Sequence, residues 1–207
     1  MMISHPPDLI QRLYPSLLWK VKTKKPNIYL TFDDGPTPGV TDQVLDKLKN
    51  YKAKATFFCL GNNIRKHPEL FKRIVDEGHK VGNHSYNHLN GWKSTTSDFL
   101  QDVRKFEEIH QTGLFRPPYG RIRRSQINAL KKEYKIVMWS ILSRDYDPLI
   151  TPAKCQEITL KDLKPGSIIV FHDSVKAKRN MLPTLEKVLV AATERGLSCK
   201  KLKSTSK

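Results

Sequence analysis

The chain has 207 residues, of which 38% are hydrophobic, so it can bury the core of one domain, and global disorder is excluded. Its 37 Lys and Arg residues outnumber its 20 Asp and Glu residues and give a formal net charge of +17, which favours contact with an anionic partner. No recognition-helix, RNA-binding or zinc-finger signature accompanies this charge, so we expect no specific nucleic-acid binding.

The predicted domain occupies residues 27–203, between an N-terminal extension at 1–26 and a short basic tail at 204–207. The extension is predicted to be partly helical and to dock on the domain, because charged residues and a proline interrupt its apolar patch and make it too short to span a bilayer. It also lacks the pattern of a signal peptide, so we expect no transmembrane segment and a cytoplasmic location by default, with export or peripheral membrane association left open. Three widely spaced cysteines argue against a disulfide framework and are compatible with a reducing compartment.

Apolar runs typical of buried strands alternate with segments of helical periodicity along the whole domain. In chain order, the predicted elements are strand 28–32, helix 41–51, strand 55–60, helix 68–77, strand 80–83, helix 98–110, strand 114–115, helix 125–134, strand 135–139, helix 153–163, strand 167–171, helix 181–195 and strand 197–202. About seven near-continuous apolar strands that alternate with helices predict an α/β fold. Its parallel sheet would be covered on both faces and either open or closed into a barrel.

Polar side chains follow nearly every predicted strand at its C-terminal end. They are Asp33 and Asp34, the segment 84–88, Arg116, Asp145 and His172. In parallel α/β folds, functional sites are built at this edge of the sheet. The sequence therefore predicts that these groups converge on one site.

Two of these clusters have the chemistry of a metal site. Asp33 and Asp34 are adjacent carboxylates, and like charges so close together ionise cheaply only beside a cation. His84 and His88 are four residues apart, so one turn or a tight loop can aim both imidazoles at one point, where an Asp oxygen would complete a three-ligand set. Taken singly, the acidic pair could instead be a solvated turn, and the two histidines could be ordinary surface or core residues.

The order of motifs along the chain resembles the polysaccharide deacetylase family, which contains the NodB homology domain. The motifs are TFDDGP at 31–36, HSxxH at 84–88, RPPYG at 116–120 and a late apolar strand that ends in His172. The resemblance implies a distorted, incomplete (β/α) barrel of about seven parallel strands in a single domain. It also implies metal-dependent hydrolysis of acetyl groups on an N-acetylated or O-acetylated carbohydrate. The cofactor would be one divalent ion, zinc foremost, with cobalt, manganese and nickel as alternatives.

The same resemblance assigns roles to individual residues. Asp33 corresponds to the general base that deprotonates a metal-activated water, and Arg116 to the arginine that holds this base. His172 corresponds to the general acid and Asp145 to the acidic residue that tunes it, while the backbone N–H of Tyr119 corresponds to a donor to the developing oxyanion. The corresponding metal ligands are Asp34, His84 and His88.

The predicted substrate-binding surface is rich in aromatic residues and proline, since flat rings suit the faces of pyranose sugars. It comprises Trp92, Pro117, Pro118, Tyr119 and Trp139. A core position for Trp139 is the alternative. The chain departs from the family pattern at Ser140 and Tyr146, where many members have an acidic residue and a tryptophan, and this departure leaves the shape and extent of the substrate open.

Two further functions remain open from the sequence. One keeps the fold and the metal but acts on a small acylated or cyclic amide, because the compact chain has no evident carbohydrate-binding module. The other is a catalytically silent protein that holds an anionic polymer, although the presence of every acid, base and ligand position argues against it. The identity of the carbohydrate and the oligomeric state are not predicted.

Overall fold

The computed structural model describes residues 4–204, so the predictions made for residues 1–3 and 205–207 lie outside the described residues. Eight strands occur in the described chain, and every pairing between them is parallel. They are β1 Asn27–Asp33, β2 Thr56–Cys59, β3 Lys80–Asn83, β4 Leu114–Phe115, β5 Lys135–Ile136, β6 Ile141–Leu142, β7 Ile168–His172 and β8 Ser198–Cys199. Seven of them form one curled sheet in the order β5-β4-β3-β2-β1-β7-β6, and β8 pairs with the beginning of β1.

Helices connect these strands and cover the sheet. They are α1 Asp8–Leu13, α2 Thr41–Asn50, α3 Gly61–Lys66, α4 Pro68–Asp76, α5 Thr96–Glu107, α6 Arg124–Leu130, α7 Pro152–Lys161 and α8 Lys178–Glu194. Strands β5 and β6 stand at the two ends of the sheet and do not pair, so the barrel is incomplete. This architecture confirms the predicted distorted (β/α) barrel. None of the helices in residues 4–204 is both long enough and apolar enough to cross a membrane.

The core is densest around β1, which lies between β2 and β7 and is buried from Ile28 onwards. Its Phe32 ring stacks between the rings of Phe57 and Phe171, with centroid distances of 5.0 and 5.7 Å. Stacked rings of this kind add to the free energy gained by burial. The central strand is therefore held firmly, and the position of its last residue, Asp33, is well defined.

The N-terminal extension packs against one edge of the sheet. Leu18 forms an isolated parallel bridge with Val137, because the Leu18 N–H donates to Ile136 O and Leu18 O accepts from the Met138 N–H. An exposed strand edge has unpaired backbone groups, and this contact satisfies part of the β5 edge. The predicted docking role of the extension is consistent with this pairing.

Most predicted elements match the structure to within a few residues, with three differences. Helix α3 and strand β6 were not predicted, and the strand predicted at 135–139 ends at Ile136. Thr41 is the first residue of α2. Its hydroxyl accepts a hydrogen bond from the Thr37 N–H and donates one to Asp173, so it connects two loops rather than capping the helix.

Candidate active site

The two adjacent carboxylates at the end of β1 both point into one site. Asp33 is the last strand residue, and Asp34 follows it with a φ of 82°, in the left-handed region. Neighbouring side chains of a regular strand would point to opposite faces, and this change of backbone direction brings the second carboxylate to the same side. Asn63 Nδ2 donates to Asp34 O at 2.7 Å and so fixes the turn.

Asp34, His84 and His88 form a cluster whose ligand atoms all lie within 4.8 Å of one another. Asp34 Oδ1 is 3.2 Å from His88 Nε2 and 3.6 Å from His84 Nε2. This oxygen is buried, yet it accepts no hydrogen bond from the described residues. Burial by itself would raise the pKa of Asp34, but three nearby imidazoles, that of His88 foremost, hold it well below its usual value.

The protonation of His84 follows from its hydrogen bond. Its Nδ1 lies 2.8 Å from Arg116 O, a carbonyl that can only accept, so Nδ1 carries the proton and Nε2 has the free lone pair. Burial lowers the pKa of His84 to about 4, which keeps the ring neutral at physiological pH. A carboxylate oxygen and an imidazole lone pair therefore face each other with no hydrogen between them, an arrangement that suits a cation.

A tight loop carries both histidines, which is one of the two arrangements that their spacing allowed. Ser85 has a φ of 67° and His88 a φ of 62°. Asn83 Oδ1 accepts from the Ser85 N–H at 2.7 Å, and Ser85 Oγ accepts from the His88 N–H at 3.0 Å. The buried Asp102 of α5 accepts from the backbone N–H and the side-chain amide of Asn87. Side-chain hydrogen bonds thus hold this loop where no regular element does.

Asp33 forms a buried ion pair with Arg116, which directly follows β4. Arg116 Nη1 donates to Asp33 Oδ1 at 2.7 Å and to Thr31 Oγ1 at 2.7 Å. The remaining guanidinium nitrogens donate to Val137 O at 3.3 Å and Met138 O at 2.9 Å. Burial lowers the pKa of Arg116, and the Asp33 carboxylate acts against this shift. The guanidinium is held at every nitrogen, so it fixes the orientation of Asp33.

His172, the last residue of β7, forms a second pair with Asp145. Asp145 Oδ1 is 2.8 Å from His172 Nδ1, and Asp145 Oδ2 accepts from the His172 backbone N–H at 2.7 Å. Burial would lower the pKa of His172, but the fully buried Asp145 carboxylate overrides this effect and raises it to about 9. The imidazole is therefore protonated at neutral pH, with Nε2 as its other N–H group.

The structure adds Asp173, which the sequence interpretation passed over. Its buried carboxylate accepts from the Gly35 N–H at 3.0 Å and from Thr41 Oγ1 at 2.5 Å, so it supports the turn that carries Asp34. A Cβ atom at Gly35 would lie 1.9 Å from Asp173 Oδ2, which explains why glycine occupies this position. The signal in the sequence was the dipeptide His172-Asp173 after the predicted strand 167–171. The sequence prediction assigned a role only to His172.

The predicted substrate-binding residues differ in how accessible they are. Tyr119 is 46% exposed and its ring centroid lies 4.5 Å from that of His88, while Trp92 is 57% exposed and stacks under Arg121. Trp139 is only 7% exposed and packs in the core beside Gly120, which favours the core alternative. Two further predicted contacts, Pro117 and Pro118, are buried.

The two departures from the family pattern occupy different places. Tyr146 lies beside His172, with the two ring centroids 4.9 Å apart in an edge-on arrangement. Ser140 instead bridges to β7, because its hydroxyl donates to Ile168 O and accepts from the Ile168 N–H. Of the two, only Tyr146 therefore has direct access to a ligand held at His172.

Comparison with known proteins shows the family to which the chain belongs. The family described as "Polysaccharide deacetylase" matches residues 20–136. A peptidoglycan-N-acetylglucosamine deacetylase from Bacillus cereus is 37% identical over 177 residues, which cover 78% of this chain and 64% of that protein. A second Bacillus cereus protein with the same name is 35% identical over 186 residues, which cover 86% of this chain and 87% of that protein.

A solved structure agrees over almost the whole chain. The crystal structure of the Bc1960 peptidoglycan N-acetylglucosamine deacetylase aligns with a TM-score of 0.86 and 31% sequence identity, and it covers 93% of this chain and 94% of that one. The chain thus spans just under two thirds of the first relative and most of the second. The family resemblance predicted from the motifs is confirmed, and the chain belongs to the polysaccharide deacetylase family.

Proposed function

We propose that this chain hydrolyses the acetamido group of N-acetylglucosamine residues in peptidoglycan and that it uses one divalent metal ion, with zinc as the first choice. One observation carries the proposal: a three-ligand cluster at the sheet edge is flanked by a carboxylate held by a fixed cation and by an imidazole held by a buried carboxylate. Hydrolysis of an amide needs a base and an acid on either side of a polarised carbonyl.

The chemistry of the cluster supports a bound cation at Asp34, His84 and His88. Asp34 Oδ1 is buried with no hydrogen-bond donor among residues 4–204, and the lone pair of His84 Nε2 faces it. One carboxylate and two imidazoles form a ligand set typical of catalytic zinc. When bound, the ion would supply a Lewis acid that polarises the acetyl carbonyl and lowers the pKa of water.

We assign the general base to Asp33. Arg116 engages Asp33 Oδ1, which leaves Oδ2 to accept a proton from the attacking water as the water oxygen bonds to the carbonyl carbon. The guanidinium is anchored at every nitrogen, so the carboxylate is oriented before substrate arrives. We keep the predicted oxyanion donor at the Tyr119 backbone N–H as part of this proposal.

We assign the general acid to His172. Its Nδ1–H is occupied by Asp145, so Nε2–H is the group that protonates the nitrogen of the leaving amine as the carbon–nitrogen bond breaks. The raised pKa of about 9 keeps this proton in place at neutral pH. Acetate and a free amino sugar are then the products, with one proton taken by Asp33 and one given by His172.

Peptidoglycan is the substrate that the relatives favour, because both Bacillus cereus proteins carry it in their names and one matches along most of its length. The exposed Tyr119 and Trp92 provide flat rings on which a sugar could stack near His88. We therefore expect acetate release from peptidoglycan glycans to exceed release from chitin oligomers and acetylated xylan. Equal or greater release from N-acetylmuramic acid units, or from small amides, would redirect the substrate assignment while leaving the metal site intact.

Metal content tests the ligand assignment directly. His84→Ala and His88→Ala should each lose most of the bound metal in elemental analysis of purified protein, because each removes one of three ligands. His110→Ala is the matched control, since His110 packs on Phe71 away from the site and should leave the stoichiometry unchanged. Full metal content in both site variants would show that the cluster is not the metal site.

A further inference from the structure

A large basic cavity lies at the opposite end of the barrel from the catalytic groups. Its volume is about 1610 Å³, and it is lined by Asn27 and Tyr29 at the start of β1 and by the first residues of β3 and β5. The catalytic groups follow the other ends of the same parallel strands. At about 3.3 Å per strand residue, the two ends of β1 are roughly 20 Å apart, so the cavity is separate from the proposed active site.

The charge of this cavity is unusually one-sided. Of its 21 lining residues, ten are Lys or Arg and only Asp8 is acidic, which gives a formal +9 out of the +17 of the whole chain. Among the residues that the structure describes, Lys20 is the only one of these ten cations in an ion pair, with Asp8 at 4.0 Å. Half of the net charge is thus concentrated in about a tenth of the chain and is largely unneutralised, which creates a strong attraction for anions.

Helix α1, which lines part of the cavity, also carries exposed apolar side chains on a neighbouring face. Asp8, Gln11 and Arg12 line the cavity, while Leu9 and Leu13 are 68% and 59% exposed. The two leucines are four residues apart and therefore share one face of the helix. Water is an unfavourable environment for such a pair, and nothing in residues 4–204 covers it.

We propose that this end of the barrel docks on an anionic membrane surface, with lipid headgroup phosphates in the basic cavity and Leu9 and Leu13 in the interfacial layer. Cations near an anionic leaflet and apolar side chains in the headgroup region act together in peripheral membrane binding. A soluble anionic polymer would explain the lysines but would leave the leucines exposed, so the membrane accounts for both features. Docked in this way, the molecule presents its catalytic end away from the lipid.

Vesicle binding tests the proposal without any need for catalysis. The full chain should co-sediment with phosphatidylcholine vesicles that contain phosphatidylglycerol but not with vesicles of phosphatidylcholine alone, and binding should weaken as salt is added. The Leu9→Ser/Leu13→Ser variant should bind about tenfold more weakly, because it removes the apolar contribution and affects no packed side chain.

A pair of charge variants separates local from global electrostatics. Lys22→Glu/Lys25→Glu/Lys203→Glu reverses three exposed cavity lysines and should weaken vesicle binding by at least about a hundredfold. The matched control reverses three exposed lysines outside the cavity, at positions 49, 132 and 187, and changes the net charge by the same amount. The control should bind much more strongly than the cavity variant. Both should retain the helical circular dichroism of the parent protein.

Four results would overturn the proposal. The first is binding to phosphatidylcholine vesicles that equals binding to the anionic vesicles. The second is an equal loss of binding in the cavity variant and its control. The third is unchanged binding in the leucine variant, which would reduce the interaction to charge alone. The fourth is tight binding to inorganic polyphosphate combined with no binding to anionic vesicles, which would assign the cavity to a soluble anionic polymer.

Discussion

The two sides of the proposed active site use the same kind of ion pair in opposite ways. On the β1 side, Asp33 is the proposed base and Arg116 pairs with it. On the β7 side, His172 is the proposed acid and Asp145 pairs with it. Arg116, Asp33 and Asp145 are buried and His172 is partly buried, and in each pair the partner of the proposed base or acid is held by further hydrogen bonds. The proposed base is thus the anion of one pair, and the proposed acid is the cation of the other.

The difference lies in whether the cation of the pair can titrate. Arg116 carries a permanent positive charge at all relevant pH values, so the cation of this pair does not titrate within the working range. On the other side the cation itself titrates, and burial and the Asp145 carboxylate act on it with opposite sign. The carboxylate prevails and raises the pKa of His172 to about 9. In the proposed mechanism, Arg116 therefore orients the base, and Asp145 sets the proton affinity of the acid.

Asp173 extends the comparison, because it is a buried carboxylate with no cationic partner among the described residues. It accepts hydrogen bonds from Gly35 and Thr41 instead. Burial, with the nearby charge of Asp34, raises the pKa of Asp173 to about 7. Three buried aspartates thus have three kinds of support: a permanent cation, a titratable cation, and neutral donors alone.

Loss of the base should have the largest effect. Asp33→Asn keeps the shape and the Arg116 contact but cannot accept a proton, so we expect kcat to fall by ~10²–10⁴-fold. Metal content measured by elemental analysis should stay at the level of the parent protein, because Asp33 is not in the ligand cluster. A metal-replete variant with near-normal kcat would remove Asp33 from the role of base.

Loss of the permanent cation should appear as instability. Arg116→Met leaves the Asp33 carboxylate buried without its partner, and the free energy of unfolding should fall by about 3–5 kcal/mol in urea titrations. The double variant Arg116→Met/Asp33→Leu removes both charges and should recover a good part of this loss. If the single variant lies within about 1 kcal/mol of the parent, the pair contributes little to folding.

Much of this site was predictable because its residues occupy fixed points of a regular pattern. Asp33 and His172 end apolar strands that periodicity identifies, and the parallel arrangement brings those strand ends to one edge. His84 and His88 were recognised from their spacing, and the motifs together specified the family. Regular elements and local spacing are therefore readable from the chain.

The parts that could not be predicted depend on long-range contacts and on irregular backbone. The left-handed φ of Asp34 and the loop 84–88 are stabilised by side chains from other segments of the chain, such as Asn63 and Asp102. Strand β6 has two residues, too few for a periodic signal, and gains its place by pairing with β7. Trp139 was ambiguous because a flat apolar ring suits a sugar face and a core equally well.

Loss of the Asp145 charge beside His172 should have the next largest effect. Asp145→Asn removes the strongest counter-charge, so burial is opposed only by the Asp34 and Asp33 carboxylates, and the pKa of His172 should fall from about 9 towards its ordinary value of 6.5. The alkaline limb of the kcat/KM profile should then move down by up to about 2 pH units, while the acid limb stays nearly fixed. Asp147→Asn in the same loop is the matched control, because Asp147 pairs with Arg144 and has no contact with His172. An unshifted alkaline limb in Asp145→Asn, with normal metal content, would show that Asp145 only supports the loop.

The smallest effect should come from the carboxylate without a cation. Asp173→Ala leaves the buried Gly35 N–H without an acceptor and should lower the free energy of unfolding by about 1–3 kcal/mol. Asp173→Asn keeps an acceptor for that N–H in the same volume. At acidic pH its free energy of unfolding should therefore fall by less than that of the alanine variant.

The pH dependence of the same two proteins separates charge from shape. Because the folded-state pKa of Asp173 lies above its ordinary value of 3.8, its contribution to stability is fully present below about pH 4 and is lost as the pH rises towards about 7. Asn does not titrate, so metal-free Asp173→Asn should become more stable relative to the metal-free parent across this window, by about 1 kcal/mol or more. Urea titrations at several pH values measure the difference. A constant gap between the two proteins would mean that Asp173 is ionised in the folded chain throughout and that neutral donors suffice to hold a buried carboxylate.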